Sequence, residues 1–386
     1  MLPPLPAALV GKIIYPAYRA IRRDGLLADL AELERREHLP LEELEEIQAR
    51  RIRETLAAAY AHVPYYRDAM DRAKLRPGDV RGPAELALLP FLTKEIVRAE
   101  ATRLVTTDPS RKGYRSSTGG STGEPLFFFN DHGAGPGRRA NTIRAYRWAG
   151  IDIGDRQVLL WGFSLNRSPA ERFAAAAKNY LNNVLPLSTF DLSEEGMRRH
   201  DARLRRFRPA YMVAYPSAVA LFADWYERTG PPAYDLGAVV TSGERLYPHQ
   251  REIVERVFRC RVFDRYGSRE FANVAAECDR HAGLHVFIDL FCAEIVRENG
   301  EPCAAGETGE LVVTDFSNLY MPFIRYRTGD LAVKTDRACP CGRGYPLIEK
   351  IEGRTFDAIS TPSGKKVGGF FWTWLSRAVP GIRRFQ

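Results

Sequence analysis

Apolar positions follow a helical period in the first part of the chain and a strand-and-helix alternation in the middle. In residues 27–74 apolar side chains recur every three or four positions with charges between them, which predicts helices interrupted at Pro40 and Pro64. Further along, short apolar runs alternate with amphipathic stretches, which predicts an α/β fold with mostly parallel sheets. The predicted strands are 126–129, 158–161, 211–213, 239–240 and 262–263, and the predicted helices are 171–182, 217–228 and 248–258.

Both ends of this α/β region differ in pattern. Residues 284–333 consist of short apolar runs with turn residues between them, which predicts a β-rich subdomain. Residues 1–23 are apolar and basic; we favour a segment that packs on the body, with a helix lying on a membrane surface as the alternative. No stretch approaches the roughly 18 consecutive apolar residues of a transmembrane helix, and no secretory cleavage site is evident.

Composition narrows the function classes. The chain has 386 residues, 56 Lys and Arg, 48 Asp and Glu, and a net charge of +8. The basic residues are interspersed with acids, and the densest run, 198–208, is typical of an exposed helix face; with no nucleic-acid-binding motif, we expect no nucleic-acid partner. Six cysteines in this length favour a reducing, cytoplasmic compartment, where clustered cysteine indicates a metal or a reactive thiol.

A glycine-rich loop is the first chemical signal. Residues 116–125 read Ser-Ser-Thr-Gly-Gly-Ser-Thr-Gly-Glu-Pro, and such a loop can surround a phosphate with backbone N–H groups and hydroxyls. A Walker loop is excluded because Glu124 stands where no lysine follows. A nucleophile elbow at Ser121 is disfavoured, because polar residues precede the loop and a predicted strand follows it.

The loop resembles the phosphate-binding loop of the adenylate-forming ligases, and four further segments resemble that superfamily's motifs in the same order. They are residues 241–246, 264–270, 326–330 and 353–354. Within the superfamily the chain is most similar to the phenylacetate–CoA ligase-like branch, which includes proteins linked to capsular polysaccharide synthesis. The segments that carry this likeness are 61–66, 89–94, 321–326 and 339–343.

The resemblance implies ATP-dependent activation of an aryl or acyl carboxylic acid to an acyl-adenylate, with CoA as the acceptor. An amine or sugar acceptor, or a module that binds ATP or an adenylate without full turnover, are the alternatives. The resemblance also implies roles for individual residues. Phosphate contacts would come from Ser117, Thr118, Gly119, Gly120, Ser121, Thr122 and Gly123; adenine and ribose contacts from Gly243, Glu244, Arg245, Asp264, Tyr266, Gly267, Asp330 and Arg354; and catalytic contacts from Ser268 and Glu270, with Glu270 ligating Mg²⁺.

The resemblance also implies a domain organisation, and the chain departs from the family pattern in places. We expect a helical region at 1–100, nucleotide- and acyl-binding subdomains at 101–283, a β-rich subdomain at 284–354, and a hinge at 355–386. Because the chain stops at Gln386, we expect the small C-terminal lid domain to be absent or truncated. Glu124 stands where relatives often carry lysine, and Phe356 where they often carry the hinge aspartate. Trp161, Tyr215 and Phe271 are candidates to line an acyl pocket, with core packing the alternative for each.

Cysteine and histidine cluster in two segments. Cys278 precedes two histidines closely, and Cys339 and Cys341 form a Cys-Pro-Cys turn. Thiolate and imidazole are good Zn²⁺ ligands, and a structural zinc site is normally closed by four of them. The resemblance places a structural zinc here with His285 as the fourth ligand and His281 as its rival; buried thiols without a metal are the alternative.

Overall fold

The computed structural model describes residues 3–118, 125–162 and 168–354, and the backbone of two short strands beyond them. Most of its helices lie where the periodicity predicts them, with prolines at the breaks. They are α1 (Ala7–Leu9), α2 (Tyr15–Arg22), α3 (Leu26–Arg36), α4 (Leu41–His62), α5 (Pro64–Arg72), α6 (Pro83–Leu86), α7 (Lys94–Ala99), α8 (Ala134–Trp148), α9 (Pro169–Leu181), α10 (Glu194–Phe207), α11 (Pro216–Thr229) and α12 (Pro248–Phe258), with a π-helical segment, Val10–Ile14, joining α1 to α2.

The strands likewise overlap every predicted run. They are β1 (Gly113–Ser117), β2 (Phe127–Asp131), β3 (Gln157–Trp161), β4 (Val184–Ser188), β5 (Tyr211–Ala214), β6 (Ala238–Thr241), β7 (Arg261–Ser268), β8 (Ala272–Glu277), β9 (Leu284–Val286), β10 (Phe291–Val296), β11 (Thr308–Asp315), β12 (Tyr326–Lys334), β13 (Leu347–Arg354), β14 (Ala358–Ser360) and β15 (Lys366–Gly368). The predicted α/β fold with a β-rich part is therefore confirmed.

The chain divides into two compact units. The first comprises Met1–Pro40, Gly133–His285 and Cys339–Gly344, and the second comprises Leu41–His132, Val286–Ala338 and Tyr345–Gln386. The six-residue segment that holds the Cys-Pro-Cys turn thus belongs to the first unit, although the residues on both sides of it belong to the second. The four-part division derived from the resemblance stays a prediction.

The first unit is built on a parallel sheet. Its strands run in the order β8-β7-β6-β5-β3-β4, all neighbours being parallel except β7 and β8. Helices α10, α11 and α12 contribute Leu204, Phe222 and Phe258 to a core that also contains strand residues such as Met212 and Val239. Strands β5 and β6 are buried along their whole length, which explains why their sequences are continuous apolar runs rather than alternating ones.

The N-terminal segment of the first unit packs on this body. Val10 and Tyr15 are buried, and the Leu5 backbone exchanges two hydrogen bonds of 3.0 Å with the side chain of Asn183. These contacts fit the packing interpretation of residues 1–23 for one side of the segment. No helix within the described ranges combines the length and apolarity that crossing a membrane requires.

The second unit contains an antiparallel meander, β10-β11-β12-β13, and the hairpin β1-β2. A buried arginine secures the meander: the Arg325 guanidinium pairs with Glu294 at 2.8 Å and donates to the carbonyls of Ala87 and Leu89, both at 2.6 Å. Arg325 takes a left-handed backbone conformation, φ 51°. Its buried charge is compensated by Glu294, which accepts from two of its nitrogens, and by the two carbonyls.

Candidate functional site

Two polar residues lie together where the parallel pairing of β6 with β7 ends. Thr241 and Asp264 lie opposite each other in the parallel register, and the Thr241 hydroxyl donates to Asp264 Oδ1 at 2.8 Å. Burial, reinforced by the negative charge of Glu277, raises the pKa of Asp264 to about 7. Asp264 is therefore a carboxyl group that a bound ligand or a small change in pH can switch between charge states.

Glu277 on β8 is the centre of a charge network next to Asp264. Arg251 on α12 donates to both of its carboxylate oxygens, at 2.7 and 2.9 Å, and the Asp264 N–H donates to Oε2 at 2.8 Å. His281 Nδ1 lies 3.1 Å from the same oxygen. Burial acts to raise the pKa of Glu277, but His281 and Arg251 outweigh it and hold the pKa below its usual value. No sequence motif predicted this network.

Two glycines allow the close packing around this edge. Gly243 has φ 84°, and a Cβ there would lie 2.9 Å from the ring of Tyr215, which stacks on Trp161 at 3.9 Å between centroids. A Cβ on Gly267 would lie 1.7 Å from the Ala272 carbonyl oxygen across the β7-β8 pair. Only glycine fits at either position, which gives a physical reason for both glycines in the motifs.

The turn between β7 and β8 holds buried polar groups that the protein itself does not satisfy. Within the described part of the chain, Ser268 Oγ and both amide atoms of Asn273 are buried without a hydrogen-bond partner. Glu270, also buried, stands between them in sequence. Each unsatisfied buried group costs about 1–3 kcal/mol, so their concentration at one turn indicates a polar ligand.

In the second unit, two predicted residues lie side by side. Asp330 on β12 is opposite Arg354 on β13, and Arg354 Nε lies 3.4 Å from Asp330 Oδ1. At the end of β1, the Thr118 backbone donates to the Leu126 carbonyl and its hydroxyl accepts from the Leu126 N–H, both at 3.0 Å. Five of the seven predicted phosphate contacts, Gly119, Gly120, Ser121, Thr122 and Gly123, lie outside the described residues.

Two other predicted residues make local contacts. Glu244 accepts from the Ser217 N–H at 3.0 Å, in the first turn of α11, and the Arg245 guanidinium lies 4.7 Å from the ring centroid of Tyr247. The first unit therefore holds Gly243, Glu244, Arg245, Asp264, Tyr266, Gly267, Ser268 and Glu270, and the second holds Ser117, Thr118, Asp330 and Arg354.

Four potential metal ligands converge in the first unit. One donor atom from each of Cys278, His285, Cys339 and Cys341 lies within 4.8 Å of the other three. The Cys278 and Cys339 sulfurs are 3.5 Å apart, and His285 Nε2 lies 3.4 Å from the Cys341 sulfur. His281 is not in the cluster, because its imidazole contacts Glu277 instead. These are the four residues that the sequence prediction preferred.

The cluster is surrounded by groups that fix its histidine. The edge of the Trp148 ring packs on His285 at 5.4 Å between centroids, and the Arg343 guanidinium lies 4.5 Å from the Trp148 ring centroid. Trp148 Nε1 donates to Glu37 at 2.6 Å. Burial raises the pKa of Cys278 to about 12, so this thiol needs a cation to lose its proton at neutral pH.

Comparisons with known proteins settle the family. No protein-family model matches the chain. A phenylacetate-coenzyme A ligase of Escherichia coli is 30% identical over 83% of this chain and 73% of its own length. The chain belongs to the phenylacetate–CoA ligase family. A Thermus thermophilus member is 28% identical over 84% of this chain, and Staphylococcus aureus Protein CapK is 23% identical over 72%.

The solved structures agree on the fold. A 2-hydroxyisobutyryl-CoA ligase crystallised with an acyl-AMP superimposes with a TM-score of 0.73 at 22% identity, covering 90% of this chain and 75% of that one. This likeness confirms the fold. The sequence relatives confirm the family predicted from the motifs, and with it the class of enzyme, an adenylate-forming ligase.

Proposed function

We propose that the chain activates a carboxylic acid with ATP and transfers the acyl group to CoA. The substrate carboxylate oxygen would attack the α-phosphorus, and the bond to the bridging oxygen would break to release pyrophosphate. The CoA thiolate would then attack the acyl carbon, and AMP would leave with the electron pair. The observation that carries this proposal is the β7-β8 turn, where Glu270 lies between unpaired Ser268 and Asn273.

The groups at this turn are suited to stabilise the negative charge that develops on the phosphates during adenylation. Mg²⁺ bound at Glu270 would supply the positive charge that such a transition state needs, since hard cations take carboxylate ligands. The Ser268 hydroxyl and the Asn273 amide can each donate to an oxygen of the ligand, and both lack another partner within the described ranges. A ligand bound there would remove their desolvation cost, which supports binding at this turn.

The nucleoside contacts are proposed on similar grounds. Asp330 would accept from both ribose hydroxyls, with Arg354 alongside to hold its carboxylate in place. Asp264 would accept from the adenine amino group, and Tyr266, which follows it on β7, would stack on the base. Ser117 and Thr118 would contribute to the phosphate loop, together with Gly119 to Gly123.

The acid is proposed to be aryl or acyl, and the aromatic pair at the carboxyl edge of the parallel sheet supports this choice. Trp161 ends β3, Tyr215 follows β5, and the stacked pair is packed against Gly243. Phe271, the third candidate from the sequence, is fully buried and serves the core. A flat apolar wall of this kind suits an aromatic or branched acyl group better than a charged one.

We further propose that the cysteine–histidine cluster holds one structural Zn²⁺. Three thiolates and one imidazole form a closed four-ligand set, which is typical of structural rather than catalytic zinc. All six cysteines are free thiols, which supports a reducing compartment such as the cytoplasm.

Pyrophosphate release with a panel of aryl and acyl carboxylates, followed by CoA consumption, tests the reaction. We expect Glu270→Gln to lower the adenylation rate by about 100-fold or more, equivalent to about 2.7 kcal/mol of transition-state stabilisation. Glu252→Gln, which changes an exposed carboxylate of α12, is the matched control and should leave the rate unchanged. An unchanged rate for Glu270→Gln at saturating Mg²⁺ would remove Glu270 from the mechanism.

A measurement of ATP binding tests the proposed ribose contact of Asp330 separately. Asp330→Ala should weaken ATP binding, because each charge-assisted hydrogen bond contributes about 1.5–3 kcal/mol. The control is Asp336→Ala, which removes an exposed carboxylate from the same unit. Equal dissociation constants for the two variants, measured by calorimetry, would show that Asp330 does not contact ribose.

A further inference from the structure

The N-terminal segment carries an apolar stripe on the side that faces away from the protein. Leu9, Ile13, Ala17 and Ile21 are spaced four residues apart and are all exposed, Ile13 by 60% and Ile21 by 81%. Side chains four positions apart lie on one side of a helix. Isolated exposed apolar residues are normal on protein surfaces, but a stripe along the length of a helix marks an interaction surface.

The opposite side of the segment is fixed to the first unit, which keeps the stripe turned outward. Val10 and Tyr15 are buried, and the Arg19 guanidinium bonds Asp24 at 2.7 Å and the Tyr15 hydroxyl at 3.0 Å. A Cβ on Gly11 would lie 2.3 Å from the Ile153 carbonyl oxygen, so the helix backbone approaches the body closely. The segment therefore cannot turn its stripe inward without breaking these contacts.

The charges around the stripe have one sign. Residues 1–23 contain four basic residues and no acidic one. Arg19 is used in the contact with Asp24, but Lys12, Arg22 and Arg23 make no ion pair or side-chain hydrogen bond within the described ranges and are exposed. An apolar face bordered by unpaired cations complements a surface that is apolar inside and anionic outside.

A second exposed stripe lies on another helix of the first unit. Helix α9 has no buried residue, and its Phe173, Ala177 and Leu181 are also spaced four apart, with Phe173 exposed by 77%. Asn183, which follows this helix, is the residue that bonds the Leu5 backbone. The two stripes therefore belong to helices of the same unit, and the segments next to them are joined by the bonds between Leu5 and Asn183.

We propose that the outer face of residues 6–23 docks the protein on the surface of an anionic lipid bilayer. Ile13 and Ile21 would enter the boundary between headgroups and acyl chains, and Lys12, Arg22 and Arg23 would lie at the level of the lipid phosphates. The helix would lie in the plane of the membrane without crossing it. This inference concerns where the enzyme acts and does not depend on the proposed reaction.

Vesicle flotation tests the proposal with phosphatidylcholine vesicles and with an equal mixture of phosphatidylcholine and phosphatidylglycerol. The unmodified chain should float with the anionic vesicles, and the bound fraction should fall as salt is added. The double change Ile13→Asp and Ile21→Asp should lower the partition coefficient at least about tenfold. Changing Lys12, Arg22 and Arg23 to Gln should lower it on the order of a hundredfold, at about fivefold per cation.

Leu88→Asp is the matched control, since Leu88 is exposed by 64% but belongs to the second unit. It should bind vesicles as the unmodified chain does, and all variants should keep the melting temperature because every changed residue is exposed. Sedimentation velocity tests the alternative that the stripe binds a second copy of the chain. The proposal is overturned if the unmodified chain ignores anionic vesicles, if the aspartate variant binds as well as the control, or if that variant only abolishes self-association, which would make a second copy the partner.

Discussion

Glu277 and Cys278 are neighbours at the end of β8, yet their surroundings balance charge in opposite ways. The Glu277 carboxylate is compensated by the protein itself through Arg251, His281 and the Asp264 N–H. Cys278 faces two more thiols and a histidine, and the nearest partners it has are sulfur and a backbone N–H. One network is compensated by the protein's own groups, whereas the other brings four potential metal ligands together.

The difference shows how buried ionisable groups distinguish a structural network from a ligand site. The Glu277 carboxylate accepts two hydrogen bonds from Arg251 and one from the Asp264 N–H and also contacts His281, so its acceptor sites are already used within the protein. Burial raises the pKa of the Cys278 and Cys339 thiols, so these two keep their protons more tightly than an exposed thiol does. Adding a divalent cation reverses that balance, and the four predictions below test the two networks against each other.

The largest effect should come from breaking the cysteine cluster. Cys341→Ser should lower zinc content from about one per chain toward zero, measured by mass spectrometry of the purified protein. Zinc sites of this kind contribute about 10–16 kcal/mol in small peptides, so the free energy of unfolding should fall more than for any other change here. Cys260→Ser, outside the cluster, should retain the metal. If reduced, freshly purified protein contains no zinc, the cluster is a set of buried thiols.

Breaking the Glu277 network should lower the free energy of unfolding by less than breaking the cysteine cluster does, but still by several kcal/mol. Arg251→Ala removes the guanidinium and leaves a buried carboxylate uncompensated, which should lower the free energy of urea unfolding by about 3–5 kcal/mol. Arg256→Ala on the same helix removes an exposed pair with Glu227 and should cost about 0–1 kcal/mol. Equal losses for the two variants would mean that the network contributes nothing beyond a surface ion pair.

The pH dependence of stability sharpens the comparison further. The pKa of Asp264 is about 7 in the folded protein against an ordinary 3.8, so the folded state binds its proton more tightly. Stability should therefore fall as pH rises from about 4 to about 7 and level off above it, by about 2–4 kcal/mol in total. Asp264→Asn keeps the acceptor for Thr241 and should remove this slope. Superimposable stability profiles for the two proteins would show that Asp264 titrates normally.

The smallest effect should come from the groups around His285. Trp148→Phe removes the donor to Glu37 and should lower the free energy of unfolding by about 1.5 kcal/mol, with metal affinity reduced about tenfold. Trp225→Phe is matched to it, because Trp225 Nε1 also donates to a glutamate, Glu194, at 3.0 Å. Chelator competition should show a change in metal affinity for the Trp148 variant alone; a similar change in both would mean that Trp148 does not position His285.

The sequence was informative where local pattern determines structure. Helix α11 and strand β6 lie where apolar period and prolines predicted them, and Gly243 and Gly267 occupy positions that no other residue fits. The order of the motifs was enough to predict the family. These features share one property: each depends on residues close together in the chain.

Pairings across the chain could not be predicted in this way. Arg251 and Glu277 are one arginine and one glutamate among 56 basic and 48 acidic residues, and only the packing of α12 against β7 and β8 brings them together. From the sequence, only the family pattern favoured His285 over His281 as the fourth zinc ligand. In the structure His281 has a left-handed backbone, φ 48°, and turns to Glu277, whereas His285 on β9 faces the thiols.

The return of Cys339–Gly344 to the first unit has a consequence for biosynthesis. Cys278 and His285 are translated before the whole of residues 286–338, and the last two ligands only afterwards. At about 5–20 residues per second, the nascent first unit waits on the order of several seconds with half of its ligand set. During this interval two donors can capture a metal only weakly, and the first unit remains incomplete until the ribosome has passed residue 341.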